Sequence, residues 1–191
     1  MSKNRLEAFS DGVIAILITI MVLELKVPHG DDWDALVKVW PVFMSYVLSF
    51  VYLGIYWNNH HHMLHATTTV TGAMLWANLH LLFWLSLVPF STGWMGENHF
   101  AALPTAVYGA VLFCAGVAFM ILERAIIAAQ GKASALGAAV GSDWKAFSSA
   151  SLYACAVGLA FVHQRIAQAI YVFVAMLWFV PDPRIESRLA K

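Results

Sequence analysis

Residues 5–25 read RLEAFSDGVIAILITIMVLEL, and their reading decides the fold. From Gly12 to Leu23 the stretch carries no charge and a single hydroxyl, that of Thr19, while Ser10 and Asp11 stand at its start. About 20 apolar residues wound as a helix cross the hydrocarbon of a bilayer, so this is a membrane helix with a carboxylate at its edge. A carboxylate in that place is costly unless a partner holds it. Two readings of the Ser-Asp pair follow. In one, Asp11 is held from neighbouring helices, where His60, His61, Asn78, His80 and the indoles of Trp57 and Trp76 are available. In the other, Ser10 or Asp11 caps the helix N-terminus by accepting from its free amides.

Helical geometry sorts the faces. With 100° per residue and Ile16 as origin, Ile20 falls at about +40°, Leu23 at about −20°, Gly12 at about −40° and Thr19 at about −60°. These residues form one stripe, branched and apolar apart from a glycine and a hydroxyl. Asp11 falls at about −140°, nearly opposite.

Composition agrees with a lipid solvent. The chain has 191 residues, 61% hydrophobic and 12% charged, against about 25% charged in an ordinary soluble domain. So few charges do not cover a water-facing surface of this size. The net charge is zero, and without a basic field no nucleic-acid partner is expected. Cys114 and Cys155 lie inside apolar runs and suggest neither a disulfide framework nor a zinc site. Lys3 and Arg5 precede an apolar stretch, as in a signal peptide, but Asp11 interrupts it and residues 22–28 offer no small-residue cleavage site. An uncleaved span is expected.

The fold class is therefore all-α, an integral membrane bundle. Six spans are read, at about 8–27, 35–57, 70–92, 100–124, 146–162 and 166–181. The last two are short and need tilting or local thinning of the bilayer. Residues 1–191 form one domain, without internal repeat. Turns are expected at 28–32 and 95–99, a loop of small residues at 130–142, and a tight hairpin at His163-Gln164-Arg165. The fifth span is rich in Ser, Ala and Gly, which suits either an interior helix with close backbone approach or a merely weak span. Counting basic residues, one side holds Lys3, Arg5, Arg124, Lys132, Lys145, Arg184, Arg188 and Lys191, the other Lys26, Lys38 and Arg165. This asymmetry places both termini in the cytoplasm.

At these same residues the chain resembles a known family. Arg5-x-x-x-Phe9-Ser10-Asp11-Gly12-Val13, followed by Ala15-Ile16-x-x-Thr19, is similar to the signature of the transmembrane protein 175 family. That family includes the lysosomal potassium channel of animals and bacterial and archaeal relatives. Tyr56-Trp57-x-x-His60-His61 supports the resemblance, as do Leu75-Trp76-x-Asn78-Leu79 through Phe83, then Pro89-Phe90 and Gly96-Glu97. The motifs cover roughly the N-terminal half; beyond it only the span pattern agrees.

The resemblance implies a potassium channel, not an enzyme: a homotetramer in a prokaryotic plasma membrane, its pore lined by the first helix of each subunit. K+ is the permeant ion and no cofactor is implied. Ile16 would form the constriction, with Ile20 and Leu23 next toward the outside, and Thr19 would favour potassium. Arg5, Phe9, Ser10, Asp11, His60, His61, Trp76 and Asn78 would belong to a polar network outside the pore.

One alternative stands beside it. Asn59-His60-His61-His62-Met63-Leu64-His65 places His61 and His65 one helical turn apart, a spacing that can bind one ion. A membrane metalloenzyme or haem protein would use this cluster. A redox centre draws ligands from more than one segment, however, and apart from this box only the isolated His80 lies in the third span. Network and interfacial histidines are the favoured reading. Asp31, Asp32 and Asp34 read as a solvated turn.

Overall fold

The computed structural model describes residues 2–131, 134, 136–137 and 144–179. The described chain is helical throughout its ordered elements. Helix α1 covers Lys3–Met21 and tightens into a 3-10 turn over Val22–Glu24. Helix α2, Trp33–His65, starts on Asp32, whose side chain accepts from the Ala35 amide at 2.8 Å. Its 33 residues make it about 50 Å long, so it continues past the hydrocarbon, beyond the end expected near residue 57, and carries the histidines as helix.

Helices α3, Gly72–Ser86, and α4, Val88–Glu97, share one crossing with a break at Leu87. Pro89 causes the break: it has no N–H to give the carbonyl of Leu85 and its ring crowds that carbonyl. The Leu87 amide instead donates to Trp84 O at 3.2 Å. Helix α5 covers Ala102–Gln130.

Helix α6, Trp144–Phe179, is interrupted at His163, whose φ of −148° and ψ of 87° are not helical. Trp178 Nε1 donates to Ser149 Oγ at 2.8 Å. An unbroken helix would hold those residues about 44 Å apart, so α6 folds back into two antiparallel limbs, 144–162 and 164–179. Among the described residues five segments are long and apolar enough to cross a membrane, and the fold-back of the last makes six crossings. The loop expected at 130–142 lies largely outside the described residues, as do Lys132, Arg184, Arg188 and Lys191 of the charge count.

The interior belongs to α5, which packs chiefly on α6 and α3. The limb 144–162 buries Ser149, Tyr153, Ala156 and Ala160 on one face and leaves Ser151, Ala154 and Cys155 exposed in the single chain. Polar groups inside a membrane bundle must be satisfied by the protein itself. Tyr52 Oη donates to Tyr171 O at 2.6 Å, and Tyr171 Oη donates to Thr105 O at 3.1 Å. Ser49 Oγ lies 2.6 Å from Thr92 Oγ1 and 3.0 Å from Tyr108 Oη. Gly109 makes room for this: a Cβ there would sit 2.0 Å from Tyr171 Oη.

The elements alternate in direction. Lys3 Nζ reaches His65 O at 2.6 Å, joining the start of α1 to the end of α2. At the opposite end Lys26 pairs with Glu97, whose hydrogen bond and charge hold the lysine ammonium above its ordinary range.

Candidate functional site

Helix α1 has one packed and one uncovered face. Leu6, Ser10, Ile14, Leu17 and Met21 are buried against α2, α3 and α4. Gly12, Ile16, Thr19, Ile20 and Leu23 are exposed, Ile16 at 56% and Leu23 at 77%. Thr19 Oγ1 donates back to the backbone, 2.9 Å from Ile16 O and 3.1 Å from Ala15 O. Its hydrogen is thus used internally, and the oxygen lone pairs remain for whatever meets the exposed face. Arg5 and Phe9 are exposed as well, at about −20° and +20° from Ile16 around the helix, so they extend the same face toward the N-terminus.

The helix begins at Lys3, with Ser2 as its N-cap residue. Ser10 and Asp11 therefore sit in its middle, and neither caps it. Ser10 is fully buried, and its hydroxyl donates to Leu6 O at 2.9 Å. Ser10 Oγ in turn accepts from Asn78 Nδ2 at 2.9 Å. The Asn78 amide oxygen then faces His60 Nε2 at 2.7 Å, so Nε2 must carry the proton. The other ring nitrogen, Nδ1, is buried and has no hydrogen-bond partner among the described residues. The chain Ser10–Asn78–His60 ties α1 to α3 and α2 through fully buried groups.

Asp11 is held separately. Its Oδ1 accepts from Trp57 Nε1 at 3.0 Å. One turn away His61 Nδ1 lies 3.3 Å from Glu7 Oε1. Of the residues expected in one polar network, the single chain thus brings Ser10, Asn78 and His60 into one cluster and Asp11 and His61 into an adjoining seam. Arg5, Phe9 and Trp76 it leaves on the surface, Trp76 at 76% exposure.

The histidine cluster is divided by the same geometry. His60 points into the core toward Asn78, His61 points to α1, and His61 and His65 stack with ring centroids 6.1 Å apart. Among the described residues no group of three or more His, Cys, Asp or Glu side chains is arranged to hold a metal ion. Glu7 and Lys3 entered no motif in the sequence. The signal that could have found them is their spacing with Asp11, at intervals of four along α1, against Trp57, His61 and His65 at the same intervals along α2.

Residues 5–89 match the model of the family described as endosomal/lysosomal potassium channel TMEM175. The chain is 51% identical over 189 residues to a potassium channel of Chryseobacterium sp., covering 99% of this chain and 98% of that one. It is 33% identical over 210 residues to a potassium channel of Streptomyces collinus, covering 97% of each. The fold superposes on the crystal structure of a lysosomal potassium-selective channel TMEM175 homolog from Chamaesiphon minutus with a TM-score of 0.81. That match has 25% identity and covers 95% of this chain and 98% of that one.

Proposed function

The chain belongs to the transmembrane protein 175 family of channels, and from that premise we propose a potassium-selective channel whose pore forms where the exposed faces of α1 from a homotetramer meet. Both bacterial relatives are named potassium channels. One domain, residues 1–191, supplies each subunit, with both termini in the cytoplasm of a prokaryotic cell. The reading needs no catalytic group and no cofactor; K+ is cargo.

One observation carries it: Ile16, Ile20 and Leu23 stand uncovered on α1 while its carboxylates, Glu7 and Asp11, are engaged by α2 on the other side. A ring of branched apolar side chains makes a neck that excludes water and with it a fully hydrated ion. Passage then requires an ion to shed part of its shell. Potassium is larger and holds its water less tightly than sodium, so it sheds that water at lower cost. Thr19, one turn beyond Ile16, offers oxygen lone pairs in partial replacement. Arg5, Phe9 and Trp76, exposed in one chain, are assigned to contacts between subunits or to the cytoplasmic mouth.

Metal-free protein in liposomes tests this by comparing potassium, sodium and proton flux. Potassium flux above that of sodium is expected. Flux no greater than in empty liposomes, together with stoichiometric iron or a Soret band in the purified protein, would support the metalloenzyme or haem reading instead.

A further inference from the structure

A cavity of about 40 Å³ lies between α2, α5 and both limbs of α6. Tyr52, Tyr56, Phe119, Tyr153 and Trp178 wall it, and Gly116 leaves one side bare. A water needs roughly 10–15 Å³ of such space, so the cavity takes about three water-sized groups or a short length of chain. Half-buried Ile55, Phe119 and Ala150 border it, so it opens out of the bundle. None of its walls comes from α1, α3 or α4. It therefore lies away from the exposed face of α1, on a side where lipid meets the protein.

Most polar groups around the cavity are already used. Tyr52 Oη donates to Tyr171 O, Asn59 Nδ2 to Ile55 O and Trp178 Nε1 to Ser149 Oγ. The Tyr56 hydroxyl has no hydrogen-bond partner among the described residues, although Tyr56 is only 9% exposed. It faces the gap left by Gly116, where an added Cβ would stand 3.8 Å from Tyr56 Oη. A buried donor left unmade is costly, so this hydroxyl is poised for an acceptor that the chain does not supply.

Two cations stand where α5 ends and α6 begins. Lys145 Nζ lies 5.1 Å from the Trp178 ring centroid, and Arg124 Cζ 5.6 Å from that of Phe147. Lys145 and Phe147 flank Ala146, which lines the cavity. Glu123, beside Arg124, is buried in the bundle. Tyr56 and Arg124 fall at the ends of the spans read at 35–57 and 100–124, and Ala146 opens the one read at 146–162. These groups therefore share the depth at which a lipid carries its phosphate and ester groups. Trp144, exposed beside Lys145, suits that level as an interfacial aromatic.

We propose that the cavity seats one anionic glycerophospholipid of the cytoplasmic leaflet. Its phosphate lies between Arg124 and Lys145, an ester carbonyl accepts from Tyr56 Oη, and the first part of an acyl chain fills the space beside Gly116. Basic pockets between membrane helices on the cytoplasmic side hold such head groups. The lipid spans α2, α5 and the two limbs of α6, and so braces the fold-back that Trp178 and Ser149 already tie. The leaflet follows from the orientation proposed above. Binding itself is independent of the channel reading.

The test titrates the full chain, delipidated in detergent, with dioleoylphosphatidylglycerol, dioleoylphosphatidylcholine or glycerol 3-phosphate. Native mass spectrometry counts bound lipid, and thermal unfolding follows the midpoint. Phosphatidylglycerol should bind at one per chain, at least about fivefold more tightly than phosphatidylcholine, and raise the midpoint. Glycerol 3-phosphate, which has no chain, should do neither. Arg124→Gln and Lys145→Gln should each weaken phosphatidylglycerol about fivefold and leave phosphatidylcholine unchanged. Tyr56→Phe should weaken both lipids roughly two- to tenfold, the worth of one hydrogen bond. It should leave the midpoint of lipid-free protein in place, since the hydroxyl has no protein partner to lose. Gly116→Leu fills the space and should abolish tight binding; Gly116→Ala should weaken it in part and serves where leucine prevents folding. Equal binding of the two lipids, stabilisation by glycerol 3-phosphate, or unchanged lipid affinity in Tyr56→Phe overturns the proposal.

Discussion

Ile14 and Ile16 stand two residues apart on α1 and face opposite ways: Ile14 is completely buried in the bundle, and Ile16 is 56% exposed on the bare face. The two positions therefore separate conduction from folding. Ile16→Asn puts polar atoms where the neck is apolar, so water enters it and the dehydration barrier falls for sodium as well as potassium. Larger currents, weaker discrimination and an intact assembly are expected in bilayer recordings and size-exclusion profiles. Ile14→Asn buries an amide without a partner, at a cost of roughly 1–3 kcal/mol, and should lower the unfolding midpoint without opening the pore. The reverse pattern would remove α1 from the pore.

Thr19 supplies the one hydroxyl of the stripe, and its hydrogen is already given to the backbone. Thr19→Ala removes the oxygen and little volume. Current should persist while preference for potassium declines, and Thr19→Ser should retain it. Reversal potentials in mixed potassium and sodium measure this, and values unchanged in Thr19→Ala would dismiss the hydroxyl from selectivity.

Asn78 sits between Ser10 and His60 and bonds to both. Asn78→Leu leaves the His60 Nε2–H and the Ser10 oxygen buried without their partner, at roughly 1–3 kcal/mol for each orphaned group. Thermal unfolding of the detergent-solubilised protein should show a large loss. A neutral effect would mean that the cluster contributes nothing to holding α1, α2 and α3 together.

Asp11 needs only an acceptor oxygen toward the Trp57 indole. Asp11→Asn keeps one and should be mild in both stability and selectivity. Asp11→Ala and Trp57→Phe each delete the bond, so the two should couple by roughly 0.5–3 kcal/mol in a double-mutant cycle. Strict additivity would show that the contact carries no free energy. A grossly altered selectivity in Asp11→Asn would place the carboxylate in the ion path.

Much of α1 is legible in the linear sequence because a helix has a fixed pitch. The 100° step alone places Ile16, Ile20 and Leu23 on one side and Asp11 on the other, and the structure has that same division of faces. Composition alone requires lipid around the chain, and span lengths with the polar turn at His163 anticipate the fold-back of α6. The extent of α1 is less legible. Its apolar stretch suggests a start near Ala8, but the helix runs from Lys3, and so Ser10 and Asp11 lose the capping role that their position before an apolar run suggests.

Partners across helices were decided only in three dimensions. Trp57 and Trp76 are both indoles within reach on paper, yet Trp57 takes Asp11 and Trp76 lies on the surface. His60 and His61 are neighbours in the chain, yet one binds Asn78 in the core and the other meets Glu7 on the seam. The physical reason is that spacing along a helix sets only the angle of a side chain about its own axis. Which side chain it meets depends on the register and crossing of two helices, which here follow from the long run of α2, the Pro89 break between α3 and α4, and the packing of the whole bundle around α5.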